Sequence, residues 1–520
     1  MVSAIDPQTV LRNSRASAYP WVVQKFGGTS VGKFPDKIAR DIVRDYLYRN
    51  RVIVVCSARS IGKKAEGTTS RLLVVFEKLE AISAAPCQEE IQNALLDEAK
   101  DLIHAICVDH RVAAQTFVRD ELLRADLCRQ VEDECDELVE YIVAAKRFNL
   151  EANSRSKDRI VSIGEKLSCK FMTTLLKDTG VDAEYVDLSD AFRFPPSSRI
   201  DTAFYKAVTA ALKERLSDCG EKVPVVTGFF GNVPGSLIDG DIGRGYTDLC
   251  SALCAVATKA DELQVWKEVD GIFTADPTKV PTARLLPSIT PSEAAELTFY
   301  GSEVIHHLTM DQVMHATPPI PIRIKNVKNA RGSGTIVIPD IVKSPSQSIQ
   351  RQNGYRPSYP AKGKTPKRPT AVTIKDKISV INVYSNKRSL SHGFYASVFS
   401  ILHFHNISVD LISTSEVHVS MAIHLGSSES KAFLQATEEL GEIGDVSVRH
   451  SMAILSLVGA DMKNMVGIAG KMFSTLGEHN VNIEMISQGA SEINISCVIE
   501  ARDATRAMNV LHTHLFTFLE

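Results

Sequence analysis

The chain has 520 residues, of which 44% are hydrophobic and 23% are charged, and its formal net charge is −3. A chain of this length is too long for one hydrophobic core, so its ordinary globular composition predicts several domains. The near balance of 59 basic and 62 acidic residues gives no reason to expect a nucleic-acid or membrane partner, and no apolar run is long enough to cross a bilayer.

The ten cysteines are scattered through the chain, and most lie inside apolar runs. None has the paired spacing of a zinc site, so we expect no metal held by a cluster of protein side chains. Reduced, buried thiols are typical of an intracellular protein, which predicts a cytoplasmic location. Residues 1–20 lack an apolar signal core and are interpreted as an N-terminal tail.

Beyond this tail, short apolar runs typical of strands alternate with helical stretches. Such runs are WVVQKF at 21–26, RVIVVC at 51–56, VPVVT at 223–227 and LQVW at 263–266. Strands separated by helices predict an α/β sandwich with a mainly parallel sheet, which we assign to residues 21–340. Residues 77–150 are rich in Glu, Leu, Ala and Asp at helical spacing and predict a helical insertion.

A glycine-rich turn follows the first predicted strand, in the sequence KFGGTSVGK at residues 25–33. Gly27 and Gly28 let the backbone approach a ligand, and the start of the next helix offers N–H groups suited to phosphate. The spacing is also that of a P-loop, but Phe34 stands where a P-loop needs a magnesium-binding hydroxyl. We therefore predict that Lys25, at the end of the strand, reaches the phosphates. A tight strand–helix turn with an exposed lysine is the alternative.

Three later segments carry groups suited to a substrate and a nucleotide. In GEKLS, Glu165 is predicted near a helix start, where its carboxylate either binds an ammonium or stabilises the helix dipole. TGFFG ends a strand with Gly228 and Gly231, and GRGYTD follows, in which Arg244 can grip a carboxylate through two parallel hydrogen bonds. WKEVDGIFTADP at 266–277 ends a strand with carboxylates, a glycine turn and an aromatic ring, which suits adenine and ribose.

Residues 343–370 hold five prolines and seven basic residues with no acid. This composition predicts an extended or disordered linker, which we place at 341–372. A nucleic-acid-binding arm is the alternative.

An internal repeat follows the linker: HNISVDLIS begins at His405 and HNVNIEMIS begins at His479. In each copy an amphipathic helix precedes the motif and an alternating strand follows it. We therefore predict two small units of strands and helices, at residues 373–446 and 447–520.

Together these segments resemble the aspartate kinases of the amino-acid kinase family, in their monofunctional, fungal-like form. KFGGTS at residues 25–30 reproduces the family's opening signature in full, and the resemblance covers roughly residues 21–335 and 373–520. It implies a three-layer amino-acid-kinase sandwich followed by two α+β ACT-type units. It also implies that ATP, carrying Mg²⁺, phosphorylates the side-chain carboxylate of L-aspartate to 4-phospho-L-aspartate.

The resemblance assigns a role to individual residues. The residues that it implies for catalysis are Lys25, Gly27, Gly28 and Asp248. Those that it implies for binding the amino-acid substrate are Thr29, Ser30, Glu165, Arg244 and Thr247. Those that it implies for binding the nucleotide are Gly228, Gly231, Lys267, Glu268, Asp270, Phe273 and Asp276. Since the aspartate side chain is already an anion at neutral pH, no general base is needed. Lys25→Met is predicted to abolish turnover with little loss of stability.

Some residues depart from the family's motifs and put the nucleotide contacts in doubt. The departures are Tyr246 and Thr247 for Gly and Ser in GRGGSD, Lys267 and Glu268 for Thr and Asp, Phe273 for Tyr, Thr278 for Arg, and Glu303 for Lys. Lys325 or Lys328 is expected to compensate for the lysine replaced at Glu303.

The ACT-type units imply a homo-oligomer and feedback inhibition by an amino acid, with threonine favoured over lysine. The residues assigned to this effector are Asn406, Ser413, Thr414, Ser415, Glu416 and Asn480. Purely structural dimerisation modules are the alternative. The implied reaction is the first step towards threonine, methionine and isoleucine, and towards lysine where that branch is present.

Two other functions stay open. One keeps the fold and changes the acceptor, as in glutamate 5-kinase, acetylglutamate kinase or uridylate kinase. The other is a non-catalytic amino-acid sensor, suggested by the replaced residues of the nucleotide segment.

Overall fold

The computed structural model describes most of the chain and divides it into two compact units. The described residues are 10–14, 19–62, 66–85, 88–189, 191–192, 199–231, 233–240, 242–299, 305–338, 368–385, 393–425, 431–489 and 493–516. The first unit comprises Met1–Gly271 and His306–Asn353, and the second comprises Ile272–Ile305 and Gly354–Glu520. Most of the predicted linker lies outside the described residues.

Strands and helices alternate through the first part of the chain. The strands are β1 (Trp21–Phe26), β2 (Arg51–Cys56), β3 (Ala183–Val186), β4 (Val223–Thr227), β5 (Glu262–Lys267), β6 (Ser288–Ile289), β7 (Ile322–Asn326), β8 (Thr335–Val337), β9 (Ala371–Ser385), β10 (Leu411–Ser415), β11 (His418–His424), β12 (Gly444–Val458), β13 (Met485–Ser487) and β14 (Asn494–Glu500). The α-helices are α1 (Gly28–Lys33), α2 (Arg44–Leu47), α3 (Thr68–Ala84), α4 (Glu89–Phe117), α5 (Glu121–Arg147), α6 (Ser154–Asp178), α7 (Thr202–Ser217), α8 (Tyr246–Thr258), α9 (Pro291–Phe299), α10 (His307–Met314), α11 (Phe394–Phe404), α12 (Lys431–Ile443), α13 (Ile468–Glu478) and α14 (Ala504–Phe516). A π-helical stretch covers Lys37–Val43, and 3₁₀ turns cover Gly243–Gly245, Met462–Asn464 and Ala501–Asp503.

The sheet of the first unit runs in the order β3-β4-β2-β1-β5-β7-β8. The neighbouring strands from β3 to β7 pair in parallel, and β7 pairs with β8 antiparallel. Every residue of β4 is buried, as is all of β2 after Arg51, which explains their almost unbroken apolar sequences. The predicted α/β sandwich with a mainly parallel sheet is confirmed. Because parallel strands end at one edge, the loops after β1, β2, β4 and β5 lie on the same side.

The predicted helical insertion consists of long helices. Leu79 of α3, Ile103 of α4 and Leu138 of α5 are almost fully buried in the same core cluster. The acidic run of α5 faces cationic neighbours, since Glu134 pairs with Lys170 at 2.8 Å. Glu132 likewise pairs with Arg111 at 3.1 Å and Glu137 with Arg159 at 3.6 Å, so three acidic residues of that run have cationic partners. None of the helices in the described residues is long and apolar enough to cross a membrane.

The second unit contains a six-stranded sheet in the order β10-β11-β9-β12-β14-β13. Its two central strands, β9 and β12, are each 15 residues long. Residues 378–384 of β9 pair with β11, while the last part of β12, residues 452–458, pairs with β14. The first copy of the repeat is therefore nested within the second, and the predicted boundary at 446 and 447 falls inside β12.

Candidate active site

The end of β1 places a lysine beside a carboxylate. Lys25 Nζ lies 2.7 Å from Asp248 Oδ1, and the two side chains are only 12% and 17% exposed. A Cβ added at Gly27 would meet Lys25 Nζ at 3.9 Å and no other atom within 4 Å, so open space adjoins the ammonium. Burial raises the pKa of Asp248, but Lys25, Lys267 and His306 more than offset this and hold that pKa below its usual range. The carboxylate is therefore an anion that orients the lysine.

The glycine turn after β1 is pressed against the loop that follows β2. A Cβ on Gly28 would lie 2.1 Å from the carbonyl oxygen of Ala58, and one on Gly32 would lie 2.0 Å from that of Ser60. The Ser60 N–H also donates to the Gly28 carbonyl at 3.0 Å. Only glycine fits at these two positions, which keeps the first N–H groups of α1 next to Lys25. Thr29, in the same turn, is half-buried.

Glu165 lies in the middle of α6, so its predicted place near a helix start is wrong. The helix begins eleven residues earlier at Ser154, where Asn153 caps it by accepting a 3.0 Å hydrogen bond from the Ser156 N–H. Glu165 is 1% exposed, and its Oε1 accepts a 2.6 Å hydrogen bond from the Tyr246 hydroxyl. Its Oε2 has no hydrogen-bond partner among the described residues. Glu165 therefore does not stabilise the dipole at the helix start. Its Oε2 is instead a buried oxygen that can accept a hydrogen bond.

Burial raises the pKa of Glu165 to about 7, against the opposing effects of the Tyr246 hydroxyl, of the backbone at Ala58 and at Glu165 itself, and of the Lys25 charge. Ionisation of this buried carboxyl group is unfavourable while the group is isolated, and it becomes favourable when a cation binds beside it. This environment suits binding of an ammonium group.

The start of α8 packs on the loop after β4. A Cβ on Gly228 would lie 2.5 Å from Thr247 Cγ2, and Thr247 is 6% exposed. Gly231 has φ +93°, a conformation that favours glycine, and a Cβ there would lie 3.0 Å from the Leu188 carbonyl oxygen. These contacts explain why both glycines are needed, and they place the Gly228–Gly231 loop beside Asp248.

Arg244 stands in the 3₁₀ turn Gly243–Gly245, and its side chain lies outside the described residues. His306, to which the sequence analysis assigned no role in the site, lies against the same turn. A Cβ on Gly245 would lie 2.1 Å from the His306 ring, and the electrostatic effect of His306 reaches Asp248. Its position next to this glycine turn could not be found from local pattern, because the two segments are far apart in sequence. Among the described residues, no His, Cys, Asp and Glu group could hold a metal ion.

The end of β5 is tied to the glycine turn. The Ser30 hydroxyl donates to Glu268 Oε1 at 2.6 Å. Asp270 Oδ1 accepts from Asn326 Nδ2 at 3.1 Å and from Asn329 Nδ2 at 3.3 Å. The structure therefore brings Ser30 and Glu268 together at the sheet edge, while Asp270 fastens the turn after β5.

Lys325, one of the two lysines expected to compensate for Glu303, lies among aromatic side chains. Its ammonium donates to the Tyr46 hydroxyl at 3.2 Å and lies 5.0 Å from the centre of the Trp266 ring. It is 7% exposed, and burial lowers its pKa. Lys325 thus belongs to an aromatic cluster, whereas Lys328 is exposed. Glu303 lies outside the described residues.

Phe273 and Asp276 belong to the second unit, not to the unit that contains Lys25. Phe273 bridges to Leu285, and Asp276 Oδ1 accepts hydrogen bonds from the Thr278 N–H at 2.9 Å and from its hydroxyl at 2.7 Å. Asp276 therefore closes a local turn. The sequence grouped these residues with β5 because they follow it directly in the chain.

The residues assigned to an effector fall into two classes. Asn406 and Asn480 have φ +53° and +54° and follow α11 and α13, and the next N–H in each case donates back to the helix. Asparagine tolerates this left-handed conformation, so the repeated His-Asn is explained by the two helix ends. By contrast, the segment Ser413–Ser415 lies exposed on the edge strand β10, with Glu416 in the following turn.

Comparison with known proteins identifies the family. The family model described as "Amino acid kinase family" matches residues 20–326, and an "ACT domain" model matches residues 455–515. Aspartate kinase FUB3 of Gibberella fujikuroi is 54% identical over 504 residues, which make up 96% of this chain and 98% of that protein. The chain belongs to the aspartokinases. The aspartokinase of Saccharomyces cerevisiae is 51% identical over 507 residues, covering 96% of this chain and 93% of its own.

Solved aspartokinase structures share the fold. Escherichia coli aspartokinase III in complex with aspartate and ADP is 26% identical, with a TM-score of 0.64 and coverage of 95% of this chain and 100% of that one. The same enzyme in complex with lysine and aspartate gives a TM-score of 0.68 over 96% of this chain and 100% of that one. The predicted membership in the aspartokinases and the predicted fold class are confirmed.

Proposed function

We propose that this aspartokinase transfers the γ-phosphoryl group of ATP to the side-chain carboxylate of L-aspartate, forming 4-phospho-L-aspartate. The observation that carries the proposal is the Lys25–Asp248 pair, which holds an ammonium beside the open face of Gly27. The E. coli relative described with aspartate and ADP supports both substrates.

The reaction brings two anions together, so the site has to supply positive charge. The side chain of aspartate has an unperturbed pKa of about 3.9 and is a ready nucleophile at neutral pH. Lys25 and the first N–H groups of α1, held by Gly28, are the groups that would stabilise charge on the phosphoryl oxygens. The described residues contain no metal-holding cluster, so Mg²⁺ is proposed to arrive bound to ATP, where it supplies further positive charge.

The substrate's two ends would meet different groups. The free Oε2 of Glu165 is the proposed acceptor for the α-ammonium, because it is buried and lacks a partner among the described residues. Arg244 is proposed to bind the α-carboxylate, and Thr29 and Ser30 the region between. Lys267, Glu268 and the Gly228–Gly231 loop are proposed to face the nucleotide.

The second unit is proposed to bind a feedback amino acid and to join chains into a homo-oligomer. The exposed polar edge Ser413–Ser415 suits a small zwitterion, and threonine is proposed ahead of lysine. The E. coli relative is described with lysine, so lysine is the competitor to test. A cytoplasmic location is part of the same proposal.

A coupled assay of ADP release tests the function directly. The purified chain is supplied with ATP, Mg²⁺ and, in separate reactions, L-aspartate, L-glutamate, acetylglutamate or UMP. We expect turnover with aspartate and inhibition of it by added threonine more than by lysine. Turnover that favours another acceptor, or none with aspartate, would refute the proposed function, and inhibition by lysine alone would refute the choice of effector.

A further inference from the structure

The first turn of α8 sends two side chains to two different parts of the site. Asp248 contacts Lys25, as described above. The Tyr246 hydroxyl donates a hydrogen bond to Glu165 Oε1 at 2.6 Å. Tyr246 is 6% exposed, and its ring is held edge-on by Phe229, with 6.2 Å between ring centres and an interplanar angle of 77°. The hydrogen bond to Glu165 and the contact with Phe229 together fix the position of the phenol ring.

This contact makes the two oxygens of Glu165 unequal. Oε1 is occupied by the phenol, whereas Oε2 is buried and has no partner among the described residues. A phenol donates one proton and carries no charge, so it leaves the carboxylate negative. A buried carboxylate with one oxygen held and the other free is suited to a cationic N–H group.

We propose that Tyr246 is a positioning residue that fixes Glu165 so that Oε2 receives the α-ammonium of the substrate, and that it thereby selects acceptors bearing an amine. This inference rests on the proposed function. Without the phenol, the buried carboxylate would lose one of its hydrogen bonds and would be free to rotate about its side-chain torsions.

The test compares a substrate that has the ammonium with an inhibitor that lacks it. Loss of one hydrogen bond to a charged group predicts that Tyr246→Phe raises the KM for aspartate about 10-fold. The KM for ATP and kcat at saturating aspartate should not change. Succinate, which is aspartate without the amine, should keep its inhibition constant against aspartate. Tyr46→Phe is the matched control, because it removes the hydrogen-bonded hydroxyl of another, partly buried tyrosine, which contacts Lys325 and not Glu165.

A double variant separates positioning from packing. In the Glu165→Gln background, adding Tyr246→Phe should produce no further change in the KM for aspartate. Glutamine carries no charge, so removing the phenol no longer leaves a buried carboxylate with one hydrogen bond fewer. A further rise there, an unchanged KM in Tyr246→Phe, or an equal weakening of succinate would each overturn the inference. If the unaltered chain shows no turnover with aspartate, the proposed function itself has failed.

Discussion

Replacing Lys25 by methionine separates its role in catalysis from its role in the fold. Lys25 is paired with Asp248 at 2.7 Å, so Lys25→Met removes the ammonium and leaves a largely buried carboxylate without its partner. Removing one member of a buried pair costs about 3–5 kcal/mol, and loss of an exposed pair costs about 0–1 kcal/mol. At 12% and 17% exposure, this pair lies nearer the buried case, which gives about 2–3 kcal/mol. The structure thus replaces the sequence-based expectation of little stability loss.

The same pair fixes the sign of the pH dependence. With Lys25 present, the pKa of Asp248 is held below its usual range, so the stabilisation is present above the unfolded-state pKa and lost as pH falls through the folded one. Without Lys25, burial acts with only Lys267 and His306 opposing it, and the pKa of Asp248 rises. The stability loss in Lys25→Met should then be larger at about pH 8 than at about pH 5, because protonation of the carboxyl as pH falls removes the unpaired charge.

Urea unfolding followed by tryptophan fluorescence measures this loss in the first unit alone. The chain has two tryptophans, Trp21 in β1 and Trp266 in β5, and both lie in that unit. Lys33→Met, at an exposed position of α1, is the control. Lys25→Met combined with Asp248→Asn should recover stability and remain inactive. An equal stability loss at both pH values, or turnover by Lys25→Met, would contradict this account of the pair.

Three further predictions test other parts of the structure. Gly28→Ala should reduce stability by about 1–3 kcal/mol and abolish turnover, since its Cβ would meet a backbone oxygen at 2.1 Å, whereas Gly27→Ala should unfold like the unaltered chain. Asn480→Ala should lower the free energy of unfolding by about 1 kcal/mol and Asn480→Gly should not, with effector inhibition kept in both; loss of inhibition in both would show that the side chain binds the effector. Because burial raises the pKa of Glu165 to about 7, kcat/KM for aspartate should increase as pH rises through about 7, and Glu165→Gln should remove that dependence.

Local sequence pattern predicted the strands and the glycine turns, because both depend on neighbouring residues. The run of apolar residues in β2 and the Lys25-to-Ser30 signature needed no knowledge of distant contacts. Local pattern gave no information where a distant contact decides the outcome. One case is the contact of Lys325, one of the two lysines expected to serve the nucleotide, with Tyr46 and Trp266. Glu165 was expected near a helix start because the apolar turn before it hides the long continuation of α6 back to Ser154.

The resemblance to the aspartate kinases implies that the first ACT unit can be inserted within the second, but the repeat by itself does not predict this nesting. The offset between the copies reveals that there are two units, but not that β9 and β12 each run through both of them. Strand pairing over such separations is set by the partner strands, which a repeat alone does not specify.

Tyr246 and Thr247 replace the glycine and serine of the family motif in the GRGYTD turn. The structure shows what each of these two side chains contacts. The methyl and hydroxyl groups of Thr247 pack in the space that Gly228 leaves by having no side chain. Tyr246 reaches a buried carboxylate on α6 and occupies one of its oxygens. Glycine at position 246 would lose the contact with Glu165, whereas serine at position 247 would keep a hydroxyl group and lose only the methyl group that packs against Gly228. Exchanging Tyr246 for glycine should therefore disturb the amine end of the site, while exchanging Thr247 for serine should only loosen its packing on the loop after β4.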